Sequence, residues 1–394
     1  MFAKPMMELG NKRSVIREIF EYGNKRKAQI GVDNVFDFSL GNPSVPPPSI
    51  VNDTVRRLLA DEHPESVHAY TSAAGDPAVR QRIADYIRDT FGVDASPRDL
   101  YMTCGAAASL CITFNAILEA GDEVIALAPY FPEYKVFVEK AQGVFRSVPC
   151  RETDFQIDFD TLESAINEKT AIIIVNSPNN PSGAVLLEDT IVRLSEVLAA
   201  AQERVGHPIY IVADEPYREL VYGDVTVPYI PKYYNNTIVC YSFSKSLSLP
   251  GERIGYIYVP SCADYADDIM AGVGGAGRAL GYVCAPVLFQ RVAAACLGHT
   301  ADIALYQQNR DLLCSALTDY GFEVVRSDGA FYLFVKAPTG DAEEFADRAK
   351  KYEILVVPSD DFGITGYVRI SYCVAPEMIE RALPSFKKLA EDYQ

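Results

Sequence analysis

Four stretches of the chain, EVIALAP at 123–129, TAIIIVNSP at 170–178, PIYIVAD at 208–214 and NTIVCYSF at 236–243, are apolar almost without interruption. A strand wetted on one face alternates polar and apolar residues. One that does not alternate is covered on both faces, which is the condition of strands in parallel sheets with helical crossovers. The segments between and before them fit that reading. PAVRQRIADYIRDTFG, GAAASLCITFNAILEAG, EYKVFVEKAQ, LESAIN and residues 188–204 read as helices, and DLYMT and VFRSVPC as further strands. The pattern excludes an all-β or bundle architecture and points to an α/β fold of three layers, helices on both faces of a parallel or mixed sheet.

At 394 residues the chain exceeds what one compact core usually holds, so two domains are expected. The texture changes near residue 290. Long helical stretches, PVLFQRVAAACLG and ALYQQNRDLLCSALTDYG, lead into short strands FEVVRS, GAFYLFVKA and GYVRISYC. Residues 11–29 read as an amphipathic helix, followed by a strand VFDFSL and the proline-rich turn GNPSVPPP. We therefore expect a large domain over 46–288 and a smaller α+β domain formed by 1–45 with 289–394.

Charge and composition narrow the function. A net charge of −17 and a pI near 4.7 argue against nucleic acid and anionic membranes as partners, since both require a basic face. Local arginines still permit small anionic ligands. Nine scattered cysteines contain no C-x-x-C pair, which suggests reduced thiols rather than disulfides or a zinc site. His63, His68, His207 and His299 never fall at metal-ligand spacing, so no metal is expected. The N-terminal segment lacks the apolar run of a signal peptide, and no run approaches the ~20 residues of a membrane span. A cytoplasmic protein is the expectation.

In open α/β sheets ligands bind outside the carboxyl ends of the strands. Here those ends carry NSPNNPSG after TAIIIV, DEPYREL after IYIVA, SFSKSLSLPGER after IVCY, and CGAAAS after DLYMT. Together they offer amides, an Asp–Tyr pair, a lysine among hydroxyls with an arginine close behind, and a helix start built of small residues. That set suits a flat, anionic, aldehyde-bearing heterocycle, and pyridoxal phosphate matches it. Lys245 would condense with the aldehyde as a Schiff base. Asp214 would keep the pyridine nitrogen protonated, and Tyr217 and Asn180 would donate to the ring's phenolic oxygen. Gly105, Ala106 and Ala107 at the helix start would meet the phosphate, with Ser242, Ser244 and Arg253 adding hydroxyls and charge. Taken singly, each has a plainer reading: a solvated lysine, an N-capping aspartate, a core tyrosine.

With these motifs in order, the chain resembles the fold-type I, class I/II aminotransferases, the aspartate aminotransferase-like group. S-x-S-K with Arg253 eight residues after Lys245, DEPY, NSPNNPSG, YTSAAG at 70–75 and RIS at 369–371 carry the resemblance over nearly the whole length. It implies a seven-stranded, mostly parallel sheet in the large domain and a homodimer with shared active sites. It further implies that Arg369 binds the substrate α-carboxylate, with Asn180 assisting and Gly41 nearby. Phe131 would stack on the cofactor ring. Tyr70 would reach the phosphate in the neighbouring subunit, and Arg278 would lie near the place of an arginine that binds a distal carboxylate. The implied reaction moves the amino group of an L-amino acid to a 2-oxo acid, possible substrates being aspartate/glutamate, aromatic and alanine-type donors. A carbon–sulfur β-lyase would use the same anchors. A ligand-sensing regulator would need an added DNA-binding segment. GVGGAG at 272–277 satisfies the dinucleotide pattern G-x-G-x-x-G, but follows DYADDIMA rather than a strand and reads as a flexible loop.

Overall fold

The computed structural model describes residues 2–11 and 14–394. Lys12 and Arg13, inside the helix expected over 11–29, lie outside the described residues. On either side of them stand helices Lys4–Asn11 and Val15–Ile30.

Seven strands form the main sheet: β1 Leu100–Thr103, β2 Glu123–Ala128, β3 Val144–Pro149, β4 Thr170–Asn176, β5 Tyr210–Glu215, β6 Thr237–Ser242 and β7 Gly255–Tyr258. Their order is β1-β7-β6-β5-β4-β2-β3. All neighbours are parallel except β7, which runs antiparallel to β1 and β6. Alternate residues of each strand enter different cores, as a two-residue repeat requires. Ile125, Ile173, Ile211 and Val239 face the layer that holds helices Pro77–Phe91, Glu188–Val205 and Val287–Ala295. Val124, Ile172, Val212 and Ile238 face helices Ala106–Ile117, Glu133–Lys140 and Ala266–Ala279. The expected three-layer α/β fold is thus present, with a smaller antiparallel sheet beside it.

That second sheet pairs Tyr332–Lys336 and Val357–Pro358 with a central Tyr367–Ser371, and Phe36–Asp37 pairs in parallel with Ile354–Leu355. Its core gathers Phe38, Val45, Tyr306, Phe331, Val368 and Phe386, so both chain ends contribute. One expectation needs correction here. FEVVRS forms no strand of its own, and only an isolated bridge joins Val324 to Val335. Helix Val287–Ala295 sends Val292 and Ala293 into the large core, whereas Ala301 packs in the small one. Cys296 thus still packs in the large core and Ala301 already in the small one.

GVGGAG is also not a loop but the body of helix Ala266–Ala279. Glycine weakens a helix interior, yet here close packing uses it. A Cβ on Gly272 would sit 3.1 Å from the carbonyl oxygen of Ala116, and one on Gly277 would run into the Tyr101 hydroxyl. Asp267 and Asp268 in the first turn and Arg278 in the last suit the helix dipole.

Candidate active site

The carboxyl ends of β4, β5 and β6, the start of helix Ala106–Ile117 and the small domain enclose a cavity of about 280 Å³. Sheet register sets its floor: Asn176 pairs with Asp214, and Asp214 with Cys240. Lys245 follows β6 in a short helix, Phe243–Ser246, whose N-cap Ser242 accepts a bond from the Ser244 amide at 3.2 Å. Its Nζ donates to the Gly41 carbonyl at 2.6 Å and lies 5.3 Å from the centre of the Phe331 ring. Burial pushes its pKa down to about 8, and the cations of Arg253 and Arg369 act in the same sense. An amine so placed is poised for proton transfer near neutrality.

Asp214, the penultimate residue of β5, is buried. Its Oδ2 accepts from the Tyr134 hydroxyl at 2.5 Å, while Oδ1 has no partner among the described residues. Burial drives the carboxyl up to about 7, against the Tyr134 bond and with help from the Glu215 charge. Asn176 fixes the strand end: its Nδ2 donates to the Asp214 carbonyl at 2.8 Å, and its Oδ1 accepts from the Asn180 amide at 2.8 Å.

Arg369, from the central strand of the small sheet, is only 2% exposed. It donates to Asn180 Oδ1 at 3.0 Å and to the Ser39 carbonyl at 2.5 Å, and its Nε has no partner among the described residues. The guanidinium lies 4.7 Å from the Tyr332 ring centre and 5.3 Å from that of Phe362. Tyr217 and Tyr332 share a hydroxyl–hydroxyl bond of 2.9 Å. Phe131 stands edge-on to Tyr134 and lines the same cavity.

The remaining groups form a cradle at a helix start. Ala106 and Ala107 open their helix after Gly105, whose φ is +88°. A Cβ there would come within 2.7 Å of the Arg253 Nη2, so glycine is what lets the guanidinium approach the helix start. Arg253 Nη1 reaches Ser244 Oγ at 3.4 Å and the Pro250 carbonyl at 3.0 Å, and Ser242 Oγ bonds Ser244 Oγ at 2.9 Å. A buried amine, a carboxylate, a phenol, an amide and a helix start flanked by hydroxyls and a guanidinium thus converge. The donor set fits a flat ring with an aldehyde, a basic nitrogen, a phenolic oxygen and a phosphate.

Of the residues expected from sequence, Gly41, Ala106, Ala107, Phe131, Asn180, Asp214, Tyr217, Lys245 and Arg369 line the cavity. Gly105, Ser242, Ser244 and Arg253 build its cradle. Tyr70 is 86% exposed and Arg278 is exposed at its helix end, so neither enters the cavity of its own chain. Sequence reasoning missed Asn176, Tyr134, Tyr332 and Ile16. The first two had signals: Asn176 opens NSPNNPSG, and Tyr134 lies three residues beyond Phe131 in PYFPEY. Among the described residues no group of three or more His, Cys, Asp or Glu could hold a metal, and no helix is long and apolar enough to cross a membrane.

The model of the family "Aminotransferase class I and II" matches residues 33–386. A probable aspartate aminotransferase of Methanocaldococcus jannaschii is 30% identical over 96% of this chain and 98% of its own. The crystal structure of an amino transferase from Eubacterium rectale shares 52% identity at a TM-score of 0.98, covering 100% of this chain and 99% of that one. The aspartate aminotransferase from Thermus thermophilus with maleate superposes at 0.86 with 28% identity, over 99% of this chain and 100% of its own.

Proposed function

The chain belongs to the class I and II aminotransferases, and on that premise we propose that it uses pyridoxal 5′-phosphate to exchange amino groups between a dicarboxylic L-amino acid and a 2-oxo acid. One observation carries the cofactor assignment: Lys245 Nζ, the unpartnered Oδ1 of Asp214 and the unpartnered Nε of Arg369 belong to residues of one cavity. Lys245 would hold the cofactor covalently, Asp214 would face its ring nitrogen, and Tyr217 and Asn180 its phenolic oxygen. Phe131 would pack on the ring, and the cradle of Gly105, Ala106, Ala107, Ser242, Ser244 and Arg253 would take the phosphate. When bound, the cofactor supplies an aldehyde and an electron sink.

The chain's own groups do the rest. Arg369 binds the substrate α-carboxylate, its planar fork already aimed by Asn180, Ser39 and two aromatic rings. That would bring the substrate's Cα to Lys245, whose amine, with its pKa lowered to about 8 by burial, would take up the Cα proton. Arg369→Lys keeps the charge but loses the fork. We expect KM for the amino acid to rise about 100-fold, with a smaller change in kcat, in steady-state kinetics.

Names of the relatives support the dicarboxylic class, since aspartate recurs among them. The exposed Tyr70 and Arg278 would complete the site of a second copy in a homodimer. A half-reaction screen tests this reading: each L-amino acid is added to loaded enzyme and the cofactor's absorbance followed. Aspartate and glutamate should convert it fastest, with the gain lost in Arg278→Ala. Uniform rates across aromatic and alanine-type donors would contradict the dicarboxylic assignment. Release of pyruvate and ammonia from cystathionine without an oxo-acid acceptor would contradict transamination.

A further inference from the structure

Tyr332 touches Arg369, Tyr217 and Gly41, although it belongs to none of the motifs. It is 2% exposed, and its ring lies 4.7 Å from the Arg369 guanidinium. Its hydroxyl is 2.9 Å from that of Tyr217. It also packs so closely on Gly41 that a Cβ there would strike the phenol oxygen, and the Gly41 carbonyl is the acceptor of Lys245 Nζ.

We propose that Tyr332 is a positioning residue joining the two halves of the site: its ring carries Arg369, and its hydroxyl donates to Tyr217 so that the Tyr217 proton is turned toward the cofactor. The proposal rests on the cofactor reading above. Its chemistry is a matter of proton count. Each phenol has one proton to donate. If Tyr217 spent its own on Tyr332, none would remain for the cofactor's phenolic oxygen. If Tyr332 donates, Tyr217 is free to donate onward, and donation in series strengthens the second bond. Both phenols are buried, Tyr217 at 5% and Tyr332 at 2% exposure. On the other side, an aromatic face over a buried guanidinium offsets part of the cost of desolvating it and fixes its plane. Substrate carboxylate binding needs that plane fixed, because a two-pronged contact tolerates little rotation. A tyrosine kept only for packing would contribute neither effect.

Two variants separate the roles. Tyr332→Phe keeps the ring and removes the donor, whereas Tyr332→Leu removes both. With Tyr332→Phe, Tyr217 becomes a poorer donor to the anionic oxygen, so the pH midpoint of the bound cofactor's visible absorbance should rise by about half a unit or more. Affinity for a dicarboxylate inhibitor such as maleate should change less than about twofold, because the face over Arg369 remains. Tyr332→Leu should show the same pH shift and bind maleate about three- to tenfold more weakly. An unmoved midpoint in Tyr332→Phe would overturn the relay, and unchanged maleate affinity in Tyr332→Leu would overturn the clamp. Equal losses of melting temperature with neither shift would mark a packing residue only. If wild-type protein bound no cofactor, the cofactor reading itself would fail, a result distinct from any of these.

Discussion

Lys245→Ala should lower transamination by about 10⁴-fold or more, since it removes both the covalent anchor and the base that moves the Cα proton. The cradle at Gly105 and Arg253 is untouched by this change, so cofactor should still be retained on ultrafiltration but released by denaturation without reduction. Turnover within about tenfold of wild type would contradict the role given to this amine. The same substitution has a signature in the cofactor-free protein. Folding lowers the pKa of Lys245 from its ordinary value to about 8 through burial. Between that pH and roughly 10.4 the unfolded chain holds the extra proton, so stability rises with pH over this window. Thermal melts of Lys245→Ala should lose that rise.

Asp214→Ala should cost several orders of magnitude in kcat, because no carboxylate would remain to hold the ring nitrogen protonated. Asp214→Asn should do nearly the same while leaving the shape of the site intact. Its effect on the cofactor-free protein runs the other way. Burial raises the Asp214 carboxyl to about 7, so the folded state holds a proton that the unfolded state has lost from about pH 4 upward. Stability therefore falls as pH climbs through that interval. Above pH 7 cofactor-free Asp214→Asn should melt higher than wild type, and below about pH 4 the two should coincide. A carboxylate kept at a cost to the empty protein is what a cationic ring nitrogen would compensate. Lower melting of the variant at pH 8 would count against this electrostatic reading.

Much of the fold was legible because burial on two faces leaves an apolar run that no other element reproduces so simply. TAIIIV and IYIVA could be placed as neighbouring sheet strands, and the residues after them had to project at one edge. Hence Asp214, Tyr217, Asn180 and Lys245 could be named together. What escaped depends on contacts between distant parts of the chain. Tyr332 gains its role from Gly41 and Arg369, which are far from it in sequence. Tyr134 gains its role from a carboxylate eighty residues away. GVGGAG was misread because glycine argues locally for a loop, while packing against Ala116 and Tyr101 rewards a smooth helix face.

The covalent assignment can be tested directly by reducing cofactor-loaded protein with borohydride, digesting it and locating the modified peptide by mass spectrometry. A single phosphopyridoxyl group on Lys245 is the predicted result. Label on another lysine, or none at all, would contradict it.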